Sequence, residues 1–471
     1  MTPHTRKWFF VTRSSIFSRG LAAPLLALAL TCSAVAPSLA APMPAHAETR
    51  TDDVICGKTA EKREIAAENL PDITATHALI EGKDGTSYYE RDADAAVKIA
   101  SITKVMTALV TLDNVDDLSD TLTVDKEAAD IVGSSAELQE GDTLTVEQAL
   151  RGLMIPSGND AALALAKYVG AKLDSATGDP VSVFVKAMNK KAQELGCKDT
   201  LFTNPHGLDH DEYAGDQHST ARDVVIMFKE AMTNDTFRQI VADTDSHIKV
   251  TSSDGTERNY EMDTHNDLLG RNGNIGGKTG TTDNAGYCFV SAYQIDGEEL
   301  YMVVLDSDTD DQRYVDTAAL AAWFDANSMD IAPVSSKRTC ADGKLLVARV
   351  ANESWTDRTV NVVLADPSKT QHVFVGKGTV EASFSFDKVS GSVKAGDKVG
   401  TVTLTQDGVE VGTFDLAADK DVAGPNPLQW VLVQFDRAVR LVQGKSSVAE
   451  TVTYATNPEM VDAAATETTQ E

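Results

Sequence analysis

The chain has 471 residues, 42% of them hydrophobic and 24% charged, with a formal net charge of −29. That length allows more than one domain, and the balance supports an ordinary buried core. Nucleic acid is excluded as a partner, because displacing counterions from phosphates takes a basic face and no Lys/Arg-rich stretch supplies one.

The first segment reads as an address. Arg6, Lys7, Arg13 and Arg19 precede an apolar run from Leu21 to about Val35, and small residues follow. Ala45-His46-Ala47 and Ser38-Leu39-Ala40 both fit a signal-peptidase site, so residues 1–47 are expected to be a signal peptide whose cleavage point stays open. Pro24 and Thr31 interrupt the run, which falls short of the about 20 apolar residues of a spanning helix. The protein is therefore expected to be exported and to act at the cell wall or the outer face of the cytoplasmic membrane. Export leaves Cys56, Cys197, Cys288 and Cys340, as disulfides in any pairing or as free thiols. Cys288, inside the apolar run Tyr287-Cys288-Phe289-Val290, is expected to be a buried thiol.

Residues 77–90 are predicted to form a hairpin around Lys83-Asp84-Gly85. Apolar spacing near 3.6 then predicts helices over 102–113, 146–154, 160–171, 182–195 and 220–233. Strand-like runs return at 286–294 and 299–306, before a helix at about 312–327. Helices between early and late strands predict an α+β domain over 48–332, its sheet built from both ends of the segment. Pro333 opens a linker, and short alternating strands over 344–350, 359–364, 371–376, 380–386, 399–405 and 409–415 predict a small β-sandwich-like domain over 333–424. In 425–444, Leu428, Val431, Leu432, Phe435, Ala438, Val439 and Val442 share one helical face, opposite Gln429, Asp436, Arg437, Arg440 and Gln443. Two readings stay open: a helix in the membrane interface, or one docked on the β domain through the same stripe. The acidic, Thr- and Ala-rich segment 445–471 is expected to be disordered.

Three short motifs carry chemistry. Ser101-Ile102-Thr103-Lys104 opens a helical run, where positions i and i+3 share a face and an amine can reach a hydroxyl. Ser246/Lys249 and Ser385/Lys388 repeat the spacing in strand-like segments, where those positions point to opposite faces. Alone, Ser101 reads more readily as a plain helix N-cap. Ser157-Gly158-Asn159 follows Pro156 at a break between helices, and by composition is a capping turn. Gly276-Gly277-Lys278-Thr279-Gly280-Thr281-Thr282 is not a phosphate loop, since Asn272 stands where that motif needs a glycine. Its glycines would let an extended substrate lie along a bare strand edge.

In this order the three motifs are those of β-lactamases and penicillin-binding proteins. With KIASITKVMTALV, LTVEQALRGLMIPSGNDAALALA, LGCKDTLFTNPHGL, HSTARD and KTGTTDNAGYCFV, residues 70–330 resemble the D-alanyl-D-alanine carboxypeptidases of the penicillin-binding-protein-5-like group, peptidase family S11. The resemblance implies a β-lactamase/transpeptidase-like fold, with an antiparallel sheet flanked by helices. It implies a serine enzyme that removes the terminal D-alanine from peptidoglycan stem peptides and is acylated by β-lactam antibiotics. It implies Ser101 as nucleophile, Lys104 as base, Ser157 and Lys278 as the relay to the departing D-alanine, and an oxyanion between the amides of Ser101 and Thr281. Asn159, Thr279, Gly280, Thr281 and Arg222 are implied to bind substrate. A lysine can serve as base only if a dry site and a second cation lower its pKa.

No metal or cofactor is expected. Asp209-His210-Asp211-Glu212 with His218 satisfies no ligand spacing and reads as a solvated loop, and His206 reads as structural. A β-lactamase of class A would need a glutamate-held water, and no Glu-x-x-Leu-Asn segment lies between the second and third motifs. A D,D-endopeptidase shares the whole catalytic set and stays open. A wall-binding receptor without catalysis has no use for a base beside a serine.

Overall fold

The computed structural model describes residues 50–460 apart from Thr177 and Ser246. The expected signal peptide, Ser246 and residues 461–471 lie outside the described residues. From the N-terminus come β1 (Val54–Ile55), β2 (Lys58–Thr59), β3 (His77–Gly82) and β4 (Ser87–Arg91). Then follow α1 (Lys104–Asn114), β5 (Thr121–Thr123), α2 (Lys126–Ala129), β6 (Thr143–Thr145), α3 (Val146–Met154), α4 (Asn159–Leu173), α5 (Pro180–Leu195), α6 (Ala221–Ala231) and α7 (Asp235–Val241). The chain returns to strands with β7 (His247–Thr251), β8 (Glu257–Glu261), β9 (Asn274–Thr282), β10 (Gly286–Ile295) and β11 (Glu298–Ser307), before α8 (Gln312–Ala326) and β12 (Ser328–Ile331).

One seven-stranded antiparallel sheet, ordered β2-β1-β4-β3-β11-β10-β9, joins both ends of this segment, as the alternation of elements predicted. Period 2 divides its side chains between two cores. On β11, Tyr301, Val303 and Leu305 face the helical core with Val105, Leu153 and Phe228. Leu300, Met302 and Val304 face the opposite core with Trp323 and Phe324 of α8. Local signals fix the helices. Asp179 caps α5 by accepting from the Ser182 amide, Pro180 sits in its first turn, and Gly196 ends it at φ 81°, a left-handed cap that suits glycine. The predicted helices are present, but periodicity missed the four-stranded sheet β5-β6-β7-β8. β5 and β6 have three residues each, too few to show an alternation.

The C-terminal part contains β13 (Ala348–Ala351), β14 (Thr359–Leu364), β15 (Gln371–Phe374), β16 (Val380–Phe386), β17 (Lys398–Gln406), β18 (Val409–Ala418), α9 (Pro427–Val442) and β19 (Val452–Thr453). Six of these strands form a sheet ordered β16-β17-β18-β14-β13-β19 over a core of Val360, Val402, Leu404 and Leu416. Three sequence expectations change here. The described part of the segment expected to be disordered returns to the sheet: Val452 and Thr453 pair with Arg349 and Ala348, and Asn457 accepts from the Ala382 amide. β12, placed before the linker, pairs with β15. Packing does not break at Pro333 either, because Phe374 stacks on Phe324 at 5.5 Å and meets Tyr88 and Trp323 edge-on.

α9 begins with a full capping box, Asn426 and Gln429 each accepting the other's backbone amide. Among its residues only Val433 is buried. Arg437 on the same side donates to the Glu353 carbonyl. The stripe Leu428, Val431, Leu432, Phe435, Val439 and Val442 is exposed, Phe435 to 71%. The helix thus docks through its mixed face, and the apolar stripe is not what holds it to the β sheet. Phe374→Ala should lower unfolding free energy by about 3 kcal/mol, from lost burial plus the cavity left among three rings. Denaturant titration checks this, and a loss below about 1 kcal/mol would contradict the shared core.

Candidate active site

A tight 3-10 turn, Ala100–Thr103, leads into α1 and sets Ser101 one turn from Lys104. The Lys104 amine lies 2.7 Å from Ser101 Oγ. It also donates to Asn159 Oδ1 at 2.7 Å and to the His206 carbonyl at 3.0 Å. Lys104 has no exposed surface, and burial lowers its pKa to about 7, against a smaller upward pull from Asp160. A neutral amine has two hydrogens and one lone pair. With Asn159 and His206 taking the hydrogens, the lone pair is left for the Ser101 hydroxyl.

The second couple is built the same way. β9 carries Lys278 to Ser157, which lines the cleft: the buried amine donates to Ser157 Oγ at 2.8 Å and to the Thr279 carbonyl at 2.7 Å. Burial holds its pKa well below the usual lysine range, and the charges of Lys104 and Arg313 add to that. Ser157 is placed by an unusual backbone, φ 63°, and Ala100 beside Ser101 by φ 46°. Residues with a Cβ occupy this left-handed region at a cost of about 1–3 kcal/mol, which the surrounding packing must sustain. Glycines make the motifs meet. A Cβ on Gly280 would lie 2.5 Å from the Ile99 carbonyl, so β9 rests directly on the turn that carries Ser101.

Ser101, Ser157, Thr279, Gly280 and Thr281 line one cleft of about 340 Å³, with Ser134, His265, Asp267, Asp310 and Arg313. A larger cavity of about 880 Å³, between the 58–70 segment and the Val375–Thr379 turn, contains none of the motif residues. Size alone would misplace the site. Neither Ser385 nor Lys388 borders the cleft, and Lys249 stands exposed on β7.

One assignment needs correction. Arg222 does not line the cleft: its guanidinium donates to Asp94 at 2.7 Å and Glu90 at 2.6 Å. The cleft arginine is Arg313, 5% exposed, donating to Thr281 Oγ1 at 2.7 Å and paired with Asp310 at 2.6 Å. No motif marks it; in sequence it is a charged residue in the first turn of a helix. Asn159, expected to bind substrate, is buried, with its oxygen on Lys104 and its Nδ2 on the Val132 carbonyl at 2.7 Å. Sequence analysis also missed His265, at the cleft rim. Partial burial, then Lys278 and Arg313, push its pKa down to about 4. His206 contributes through its backbone. Its ring is pushed to about 3, by burial first and then by Lys104. Cys56, Cys197, Cys288 and Cys340 are free thiols, and Cys288 is fully buried, which pushes its thiol up to about 12.

Helices on both sides of an antiparallel sheet, with two lysine–serine couples at its edge, define an active-site-serine enzyme of the β-lactamase/transpeptidase fold class. The model of the D-alanyl-D-alanine carboxypeptidases, peptidase family S11, matches residues 63–309, and the chain belongs to that family. It is 26% identical over 354 residues to D-alanyl-D-alanine carboxypeptidase DacF of Bacillus subtilis, covering 73% of this chain and 84% of that one. It is 36% identical over 230 residues to the D-alanyl-D-alanine carboxypeptidase of Streptomyces sp. strain K15, covering 47% and 77%. The crystal structure of the Streptomyces K15 DD-transpeptidase superposes with TM-score 0.51 at 34% identity, over 54% of this chain and 97% of that one.

Proposed function

We propose that this serine D-Ala-D-Ala carboxypeptidase acts through an acyl-enzyme on Ser101, with Lys104 as its base. The observation that carries this is a pair of buried lysines, each bonded to a serine that lines the same cleft. Neutral Lys104 takes the Ser101 proton as Oγ attacks the carbonyl of the penultimate D-alanine. The backbone amides of Ser101 and Thr281 receive the developing oxyanion, worth about 3–4 kcal/mol per donor. That proton then leaves Lys104 for the nitrogen of the departing D-alanine, relayed through Ser157 and Lys278, so that Lys104 is neutral again when the C–N bond has broken. Water then attacks the ester as Lys104 accepts its proton, and Lys104 returns that proton to Ser101 Oγ as the acyl bond breaks.

The substrate is a peptidoglycan stem peptide lying along β9, which is the sheet's outer strand and offers an open edge. Its terminal carboxylate meets Arg313 and the hydroxyls of Thr279 and Thr281, a planar fork matched to a planar anion. β-Lactams present the same carboxylate and a reactive amide, and acylate the same serine. The expected leader places the enzyme outside the cytoplasm. There the exposed stripe of α9 rests in the membrane interface, each fully transferred Leu or Phe contributing about 2 kcal/mol. Among the described residues no helix is long and apolar enough to cross a membrane.

Purified protein should release D-alanine from a peptide ending in D-Ala-D-Ala and take up fluorescent penicillin, while Ser101→Ala does neither. Release by Ser101→Ala at the parent rate would remove it as nucleophile, and cleavage of cross-linked dimers alone would favour an endopeptidase. In co-sedimentation, the protein should bind phosphatidylethanolamine/phosphatidylglycerol vesicles. The double variant Leu432→Glu, Phe435→Glu should stay in the supernatant with D-alanine release unchanged. Equal binding by both proteins would sink the interfacial role of α9.

A further inference from the structure

We propose that Asp209 is a positioning residue that fixes the lysine-bearing strand against the nucleophile's turn. The proposal rests on the roles given above to Ser101, Lys104 and Lys278. The segment 204–209 lies across the base of the site. The Pro205 carbonyl accepts from Thr107 Oγ1 of α1 at 2.5 Å, and the His206 carbonyl accepts from Lys104 at 3.0 Å. Gly207, at φ +96°, runs so close to the nucleophile's turn that a Cβ would lie 2.0 Å from the Ala100 carbonyl. Asn204 stiffens the segment from within, accepting from the Gly207 amide at 2.7 Å and donating to the Leu208 carbonyl at 2.8 Å.

Asp209 ends this segment and reaches the other half of the site. Sequence analysis read it as solvated; it is 5% exposed. Its Oδ2 accepts from Thr282 Oγ1 at 2.8 Å, and its Oδ1 and backbone carbonyl accept from Asn284 Nδ2, each at 3.3 Å. Thr282 Oγ1 accepts in turn from the Ala285 amide at 3.1 Å. Burying a carboxylate is costly unless it is hydrogen-bonded. Here its bonds go to the turn that follows the Lys-Thr-Gly strand, one residue past the Thr281 amide proposed to hold the oxyanion. A single rigid segment therefore touches Lys104, the backbone before Ser101, and the residue after Thr281. The plainer reading, a carboxylate capping the β9–β10 turn, predicts that its loss costs stability and not chemistry.

The variants Asp209→Ala, Asp209→Asn, Thr282→Val and Asp209→Ala/Thr282→Val separate these readings, with Ser101→Ala as control. The measurements are the rate constant for acylation by fluorescent penicillin, kcat and KM for D-alanine release, and the thermal midpoint. A misplacement near 1 Å costs about 100-fold in rate. Asp209→Ala and Thr282→Val should each acylate about 100-fold more slowly, in kcat rather than KM, while remaining folded at the assay temperature. The double variant should be no slower than either single one, because both remove the same link. Asp209→Asn, which keeps an acceptor for Thr282, should recover about tenfold. Parent-like acylation by Asp209→Ala, additive losses in the double variant, or a loss matching only the unfolded fraction would each overturn the proposal. Labelling of Ser101→Ala would instead overturn the nucleophile assignment and leave the brace as a separate question.

Discussion

Two lysine amines, Lys104 and Lys278, are packed where almost no solvent reaches them, 0% and 2% exposed. Holding even one ammonium ion in such a place is expensive, and a second one close enough to feel its charge adds to the cost. Losing a proton relieves both costs. The low pKa of Lys104 is therefore a consequence of packing, as the carbonyls of Asn159 and His206 and the hydroxyl of Ser101 can satisfy a neutral amine completely. A serine that would be inert in water gains a base because the fold leaves that base no comfortable charged state.

The rest of the molecule sustains this arrangement. Sheet order puts β9 at an edge, where a strand of substrate can be added, while β10 and β11 bury both their faces. Glycine at 280 removes the Cβ that would hold the strand off the nucleophile's turn, and the left-handed backbones at Ala100 and Ser157 aim two elements at one point. Such local strain persists because two cores, one on each side of the sheet, over-determine the backbone. The distal β unit adds a third core, joined through Phe374, and carries α9 at its surface.

What the sequence disclosed tracks how local each signal is. Ser101 and Lys104 sit one helical turn apart, so their pairing follows from periodicity, and the order of the three motifs supplies the fold. Lys278 meets Ser157 across 121 residues, which no spacing rule reaches; family resemblance brought them together. Arg313 stayed hidden because an arginine in the first turn of α8 looks like solvent-facing charge, whereas Arg222 looked meaningful only beside familiar neighbours. Asn159 was assigned to substrate by family resemblance, and its Nδ2 contact with Val132 is too long-range for any spacing rule to show. The same reason explains β19, two residues in a polar segment that pair only because β13 offers an edge.

The central claim, that a neutral Lys104 is the base, is tested most directly by the pH profile of kcat/KM for D-alanine release. Below its pKa of about 7 the neutral fraction falls tenfold per pH unit, so kcat/KM should rise about tenfold per unit from pH 5 and level off above 7. A profile that is flat, or falls, between pH 5 and 7 would contradict it.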